Sequence, residues 1–219
     1  MEIIFIIIIL IFSIVIHEVS HGAMADSLGD PTARYQGRLT LNPMKHLDPM
    51  GSFVVPALLL IMRSPILFGW AKPVPVNPYN FKDQKYGQLK VALAGPLSNF
   101  SIAFLFGIGA RLIPLELAVK RGIVQNFAAP DGFLPQIFFL FIIIVFINTL
   151  LAVFNLIPIP PLDGSHVLFS LFPRAEYKFR EVIAKSGFLF MSLVFIIIFL
   201  LFPYLREGVF FLARIFLGV

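Results

Sequence analysis

The sequence contains no cysteine and has few charged residues. The absence of cysteine excludes disulfides, thiolate metal ligands and cysteine nucleophiles. Charged residues make up only 13% and hydrophobic residues 58% of the 219 positions, whereas soluble domains average about 25% and about 45–50%. A soluble globular domain cannot bury this much apolar surface, and a disordered chain has the opposite composition. We therefore expect a membrane protein.

Long apolar runs contain most of the hydrophobic residues. A helix needs about 20 residues to cross a bilayer. The first run carries His17, Glu18 and His21 and has no basic segment before it, so we interpret it as a mature span and not as a signal peptide. The four runs that are long enough to cross cover residues 3–25, 88–110, 133–157 and 187–205.

Two further stretches predict segments that do not cross the membrane. Residues 50–62 include Pro56 and provide only 13 residues before Arg63, which favours a re-entrant or interfacial segment. Residues 207–219 are largely apolar and predict an interfacial helix.

Residues 69–80 (GWAKPVPVNPYN) are rich in Pro, Gly and Asn. The alternating prolines exclude a helix there and favour an extended, edge-strand-like segment. Together these features predict an all-α polytopic membrane protein with four to six transmembrane helices and a short re-entrant or β-like segment after the first span. We expect residues 1–219 to form a single membrane-embedded domain.

The basic residues predict the orientation in the membrane. If the N-terminus is outside and 50–62 does not cross, the inside segments are 26–90 and 158–186, and they hold 12 of the 17 Lys and Arg. This excess agrees with the positive-inside rule and gives no reason to expect a nucleic-acid partner. With no targeting presequence apparent, we expect a multi-pass protein in the plasma (inner) membrane of a prokaryote. The sequence carries no signal for an oligomeric state.

The first span carries the motif His17-Glu18-Val19-Ser20-His21. Residues four apart share a helix face, so both imidazoles can reach one ion, and the glutamate adjoins the first of them. This is the H-E-x-x-H arrangement of zinc hydrolases. The alternative is two packed histidines without a metal. Charged groups in hydrocarbon cost about 2.5–3.5 kcal/mol each, however, and three ionisable side chains together need a partner, which a divalent cation supplies.

Two histidines do not complete a catalytic zinc site, which usually has three protein ligands. Without cysteine, the third ligand is His, Asp or Glu, and the best candidate is Asp163. Pro158, Pro160 and Pro161 break the helix before it, so its carboxylate can point back into the bundle. The alternative is that Asp163 caps a helix over 164–172.

The number of crossings tests this choice of ligand. If 50–62 does not cross, Asp163 arrives at the inner end of the bundle, where His17 and His21 also lie. If 50–62 crosses, Asp163 lies on the outer side and cannot share their metal. The charge distribution and the choice of Asp163 therefore favour the same topology.

Four segments carry a resemblance to the site-2 protease family of intramembrane zinc metalloproteases. The first and last are the family's two signatures, both match fully, and the resemblance extends over about residues 10–170. The segments are 17–21 (HEVSH), 37–51 (GRLTLNPMKHLDPMG), 94–99 (AGPLSN) and 155–164 (NLIPIPPLDG). The chain resembles the small branch of the family that lacks a PDZ domain.

The resemblance implies a function and a set of roles. It implies one Zn²⁺ per chain, a transmembrane protein substrate that is cleaved inside the lipid bilayer, and regulated intramembrane proteolysis. His17, His21 and Asp163 would be the metal ligands and Glu18 the catalytic acid/base. Asn155 matches a signature asparagine that is thought to help hold the substrate strand.

Three other polar residues are candidates with alternative roles. His46 could support a ligand, stabilise an oxyanion or only organise its proline-bounded loop. His166 follows Asp163 by three residues and could support it, whereas a fourth ligand would close the site. Asn99 could contact the site or, like Asn148, join helices by hydrogen bonds.

Two rival functions remain open, a metal transporter and a proteolytically inactive scaffold. A transporter is expected to carry ionisable residues along several spans, whereas here they cluster at one level. An inactive scaffold has no need of Glu18. For a protease, an edge strand in 52–60 or 69–78 could hold an unwound substrate by backbone pairing.

Overall fold

The computed structural model describes residues 2–62, 69–128 and 131–219. Within these ranges the protein is helical and contains no β-strand, which confirms the all-α prediction. The helices are α1 (Glu2–Ser27), α2 (Thr32–Tyr35), α3 (Val55–Ile61), α4 (Gly87–Leu112), α5 (Leu117–Asn126), α6 (Phe133–Asn155), α7 (Asp163–Leu171) and α8 (Pro173–Leu217). Short 3-10 turns cover Pro43–Lys45 and Pro78–Asn80, and a π-helical turn covers Pro49–Val54.

Three of the described helices are long and apolar enough to cross a membrane. They comprise Ile4–Ser27, Gly87–Leu112 and Phe133–Asn155, close to the first three predicted spans. The fourth predicted span, 187–205, falls within α8, which has a kink at Ser186 (φ −138°, ψ 30°). A total of four to six spans therefore stays a prediction.

The predicted interfacial stretch 207–219 is not a separate helix. Residues up to Leu217 continue α8, and Val209, Ala213 and Leu217 are buried. The ring of Phe210 lies 4.9 Å from that of Phe146 in α6, measured between centroids, so the last part of α8 packs into the helix bundle.

The apolar stretch 50–62 is helical. The π-helical turn Pro49–Val54 leads directly into α3, so the interpretation of 52–60 as an edge strand is wrong. A short apolar run is compatible with strand or helix, and periodicity does not distinguish them. Whether 50–62 re-enters the membrane stays a prediction. Residues 69–77 form neither helix nor strand.

The helix α4 holds the bundle together, because it packs against α1, α6, α7 and α8. A dense apolar core fills the end of the bundle away from the H-E-x-x-H motif. Its fully or almost fully buried members include Ala103, Ala110, Ile123, Phe138, Ile142, Val145 and Leu217. Residues 114–132, between α4 and α6, contain α5, and positions 129–130 lie outside the described residues.

Candidate active site

The structure brings His17, His21 and Asp163 together, with ligand atoms that all lie within 4.8 Å of one another. Asp163 Oδ2 lies 3.0 Å from His17 Nε2 and 3.2 Å from His21 Nε2, and the two Nε2 atoms are 3.0 Å apart. Both histidines are buried. Asp163 thus lies at the same end of the bundle as the two histidines, as the choice of this residue required.

The chain path explains how Asp163 reaches the histidines. The helix α6 ends at Asn155, and the proline-rich turn that follows leads into α7, which begins at Asp163. A Cβ on Gly164 would lie 2.5 Å from the carbonyl oxygen of Ile157. Only glycine allows this tight return, which directs the Asp163 carboxylate towards α1.

The second ring nitrogen of each histidine has its own partner. His17 Nδ1 lies 2.6 Å from Asn99 Oδ1, and His21 Nδ1 lies 2.7 Å from the carbonyl oxygen of Val91. A carbonyl oxygen only accepts, so each Nδ1–H donates, and in the neutral imidazole each Nε2 then keeps a free lone pair. This is the tautomer in which histidine binds a metal through Nε2.

Two helix faces with a spacing of four residues meet at the site. On α1 the face consists of Ser13, His17 and His21, and on the antiparallel α4 it consists of Val91, Gly95 and Asn99. A Cβ on Gly95 would lie 2.6 Å from His17 Nε2 and closer still to His21 Nε2. Glycine is therefore needed for α4 to lie against both ring nitrogens.

Asn99 belongs to a buried polar network that joins three helices. Its Nδ2 donates to Asn148 Oδ1 at 2.8 Å and to the carbonyl oxygen of Ser13 at 3.3 Å. Asn148 Nδ2 donates to Ser13 Oγ at 3.0 Å. Asn99 and Asn148 are fully buried. The two roles considered for Asn99 thus coincide, because the amide that joins the helices also accepts from His17.

Glu18 is half-buried and is held by a backbone amide. The N–H of Val74 donates to Glu18 Oε2 at 2.8 Å. The segment 69–77 therefore reaches the helix that carries the H-E-x-x-H motif.

The other predicted site residues lie outside the metal cluster. Asn155 Nδ2 donates to the carbonyl oxygen of Leu151 in its own helix at 2.9 Å. His46 is buried, and its Nε2 donates to the carbonyl oxygen of Thr40 at 2.8 Å, as expected if it organises its loop. His166 is exposed, and its Nδ1 accepts from Gln88 Nε2 at 3.2 Å.

Sequence reasoning did not assign a role to Gly95, Val91 or Val74. A signal for the first two was present, because Val91, Gly95 and Asn99 have the same spacing as Ser13, His17 and His21. Val74 contributes a backbone N–H, so its side chain carried no signal.

The cluster fits a zinc ion. Ligand atoms about 2.0–2.1 Å from a tetrahedral zinc lie roughly 3.3 Å apart, close to the 3.0–3.2 Å separations here. Two unprotonated Nε2 atoms and a carboxylate oxygen in close contact repel one another unless a cation lies between them. Three nitrogen and oxygen ligands also leave the fourth zinc position open, as in catalytic sites.

Apolar helices of membrane length, together with two buried histidines, a half-buried aspartate and an adjacent glutamate, are typical of a membrane metallohydrolase. A family model, that of peptidase family M50, matches residues 5–199. The chain therefore belongs to peptidase family M50, and it is a zinc metalloprotease of the site-2 type. The resemblance found in the sequence is confirmed.

Several relatives have names that agree with this family. The chain is 36% identical over 207 residues to "Putative zinc metalloprotease YwhC" of Bacillus subtilis (strain 168). The aligned region covers 93% of this chain and 87% of that protein. It is 27% identical over 196 residues to "Putative zinc metalloprotease Rip2" of Mycobacterium tuberculosis (strain ATCC 25618 / H37Rv), with 89% and 65% covered. No solved structure matches the chain.

Proposed function

We propose that this protein hydrolyses peptide bonds within or near the transmembrane segments of substrate membrane proteins. His17, His21 and Asp163 would hold one zinc ion, and Glu18 would act as general acid and base. The observation that best supports this proposal concerns the H-E-x-x-H motif. The motif lies in the apolar part of α1, Ile4–Ser27, and its histidines lie next to Asp163 of α7.

The reaction needs proton transfer next to the ligands. A bound zinc ion would polarise the scissile carbonyl and activate a water molecule. Glu18 takes the proton of that water and passes it to the leaving amine. One of its carboxylate oxygens accepts from Val74 N–H, so the other oxygen is the one that handles the proton.

Water must reach a site that apolar helices surround. Buried polar side chains at this end of the bundle, among them Asp30, Arg38 and His46, make the surroundings of the site polar. The helix α8 supports a site below the bilayer surface. Its residue Leu205 lines the same cavity as Phe154, near the end of α6, and the apolar run 187–205 extends from there towards the start of α8.

The segment 69–77 limits how a substrate strand could dock. The N–H groups of Trp70, Lys72 and Val74 already donate to Gly51 O, His46 O and Glu18 Oε2. Pro73 and Pro75 have no N–H. Over residues 72–75, a substrate strand that pairs here would therefore act as a donor to carbonyl oxygens. Proline scanning of the substrate tests this, because unchanged cleavage at every position contradicts strand pairing.

The topology is testable because the chain has no native cysteine. We propose that the N-terminus is outside and that the site opens towards the cytoplasm of a prokaryote, as 12 of the 17 basic residues indicate. Single cysteines in place of Lys85 and Arg121 would then react with an impermeant maleimide only from the inside and the outside, respectively. The opposite pattern contradicts the orientation.

The activity is tested with purified wild type, Glu18→Gln and Asp163→Ala and a single-span model substrate. We expect zinc to be retained in Glu18→Gln and weakened in Asp163→Ala, and cleavage to be lost in both. Zinc-dependent transport that survives Glu18→Gln favours the transporter, and full zinc occupancy in Asp163→Ala places the third ligand elsewhere.

A further inference from the structure

The segment 37–51, one of the four family-like motifs, contributes no residue to the metal cluster and instead holds the segment 69–77. Arg38 is 5% exposed, and its Nη2 donates to the carbonyl oxygens of Lys72 at 2.7 Å and Pro73 at 3.3 Å. The carbonyl oxygen of His46 accepts from Lys72 N–H at 2.8 Å. Arg38 Nε is buried without a hydrogen-bond partner among the described residues. Burying an unsatisfied donor costs free energy, so we expect Arg38 to do more than stabilise a loop.

The dipeptide held by Arg38 leads directly to the amide that contacts Glu18. Val74 follows Pro73, and its N–H donates to Glu18 Oε2 at 2.8 Å. Prolines on both sides fix their own φ angles and have no N–H. Val74 is therefore the one N–H donor between Lys72 and Val76 in the sequence.

A glycine in α1 lets the same segment lie against the helix. Gly22 follows Glu18 by four residues and shares its face of α1. A Cβ at Gly22 would lie 2.8 Å from Val74 Cγ1 and 2.7 Å from Leu39 Cδ2. The side chains of Val74 and of Leu39, which follows Arg38, thus occupy the space where a Cβ of residue 22 would lie.

The far end of the segment is anchored as well. Asp30 is fully buried and accepts from Asn77 N–H at 2.7 Å and from Asn80 Nδ2 at 2.8 Å. The Val74 amide therefore lies between two anchors, Arg38 on one side and Asp30 on the other, with α1 below it.

We propose that Arg38 is a positioning residue for Glu18. By holding the carbonyl oxygens of Lys72 and Pro73, it fixes the direction of the Val74 N–H, and this N–H orients the Glu18 carboxylate. The inference rests on the proposed function, in which Glu18 transfers the proton. Without Arg38 the carboxylate loses its orientation, so proton transfer slows while the metal ligands stay in place.

The test compares Arg38→Gln and Gly22→Ala with matched controls by steady-state cleavage of a single-span substrate and by zinc content. Arg34→Gln controls for charge in the same region, because the Arg34 side chain is 65% exposed and pairs with Asp26. Gly122→Ala controls for a methyl group in a helix, because nothing lies within 4 Å of a Cβ there. We expect kcat to fall about 10- to 100-fold in both test variants, with KM and zinc per chain unchanged. Both controls should match wild type.

A backbone substitution keeps the test decisive if Arg38→Gln fails to fold. Replacing the Val74 amide with an ester removes this N–H and leaves the side chain in place. The control is an ester at Tyr79, whose N–H donates to Asn77 Oδ1 in an exposed turn. A fall in kcat for the ester at Val74 but not at Tyr79 supports the proposal.

The outcomes separate this inference from the function on which it rests. Wild-type kcat in Arg38→Gln, or in the Val74 ester, overturns the positioning role alone. A loss of kcat in Arg38→Gln that is matched by an equal loss of zinc also overturns it, because the ligands would then have moved. If wild type does not cleave, or if Glu18→Gln cleaves normally, the proposed function fails and the inference fails with it.

Discussion

Gly95 of α4 lies against His17 of α1 so closely that a Cβ on the glycine would be 2.6 Å from His17 Nε2. The backbone of α4 at Gly95 therefore packs directly against the Nε2 atoms that would bind the metal. One turn further along α4, Asn99 accepts from the other ring nitrogen of the same histidine. The helix that holds the ring orientation is thus also the helix that limits the space around the ion.

Gly95→Ala should abolish high-affinity zinc binding. The new methyl group would overlap the Nε2 atoms of His17 and His21, and backbone atoms of a packed helix cannot yield as a flexible side chain can. Zinc per chain, measured on detergent-purified protein, should fall at least as far as in Asp163→Ala. Gly208→Ala is the control, since a Cβ there has nothing within 4 Å. Full zinc occupancy in Gly95→Ala would contradict the placement of the ion beside α4.

Asn99→Ala should weaken zinc binding about 10- to 100-fold, the usual cost of losing the partner of a ligating histidine. The variant leaves His17 Nδ1–H without its acceptor, so the ring can change tautomer and orientation. Zinc competition with a chelator measures the affinity. Thr149→Val is the control, because the Thr149 hydroxyl is buried but donates to Val145 in its own helix. An equal loss in both variants would indicate general destabilisation.

Much of the site could be predicted because its signals are local. A spacing of four places His17 and His21 on one helix face whatever the rest of the chain does. The arrival of Asp163 at the same end followed from counting crossings. The long apolar helices were likewise visible, because membrane length and composition are properties of a single segment.

The rest depends on contacts between distant segments. The spacing of Val91, Gly95 and Asn99 acquires meaning only when α4 is known to pack antiparallel to α1. Val74 acts through its backbone, which composition does not reveal. The suggestion that 52–60 could be an edge strand is wrong, because a short apolar run fits either element and here it forms a helix.

Lys120→Met should destabilise the fold without affecting zinc binding. Lys120 is 7% exposed. Its ammonium donates to two carbonyl oxygens in the last turn of α4, those of Ala110 at 3.3 Å and Arg111 at 2.9 Å. Methionine keeps the apolar stem but removes the ammonium donor. The Arg111 carbonyl then loses this hydrogen bond, at a cost of about 1–3 kcal/mol, whereas Ala110 O still accepts from Ile113 N–H at 3.3 Å. Thermal unfolding in detergent measures the loss, and Arg121→Met, at an exposed neighbour, is the control. A change in zinc content in Lys120→Met would contradict the separation of this end of the bundle from the site.

Asp30→Asn should remove a pH-dependent contribution to stability. Burial alone raises the pKa of Asp30, but hydrogen bonds from Thr32, Asn77 and Asn80 outweigh it and hold the pKa below its ordinary value. A lowered folded-state pKa stabilises the fold above the unfolded-state pKa of about 3.9, and this contribution is lost as the pH falls through the folded-state pKa. The difference in Tm between wild type and Asp30→Asn, measured in detergent with EDTA so that zinc loss does not contribute, should therefore be largest near neutral pH and shrink below about pH 4. Asp131→Asn, at an exposed position, is the control. A difference for Asp30→Asn that is constant with pH would contradict the role of its carboxylate charge.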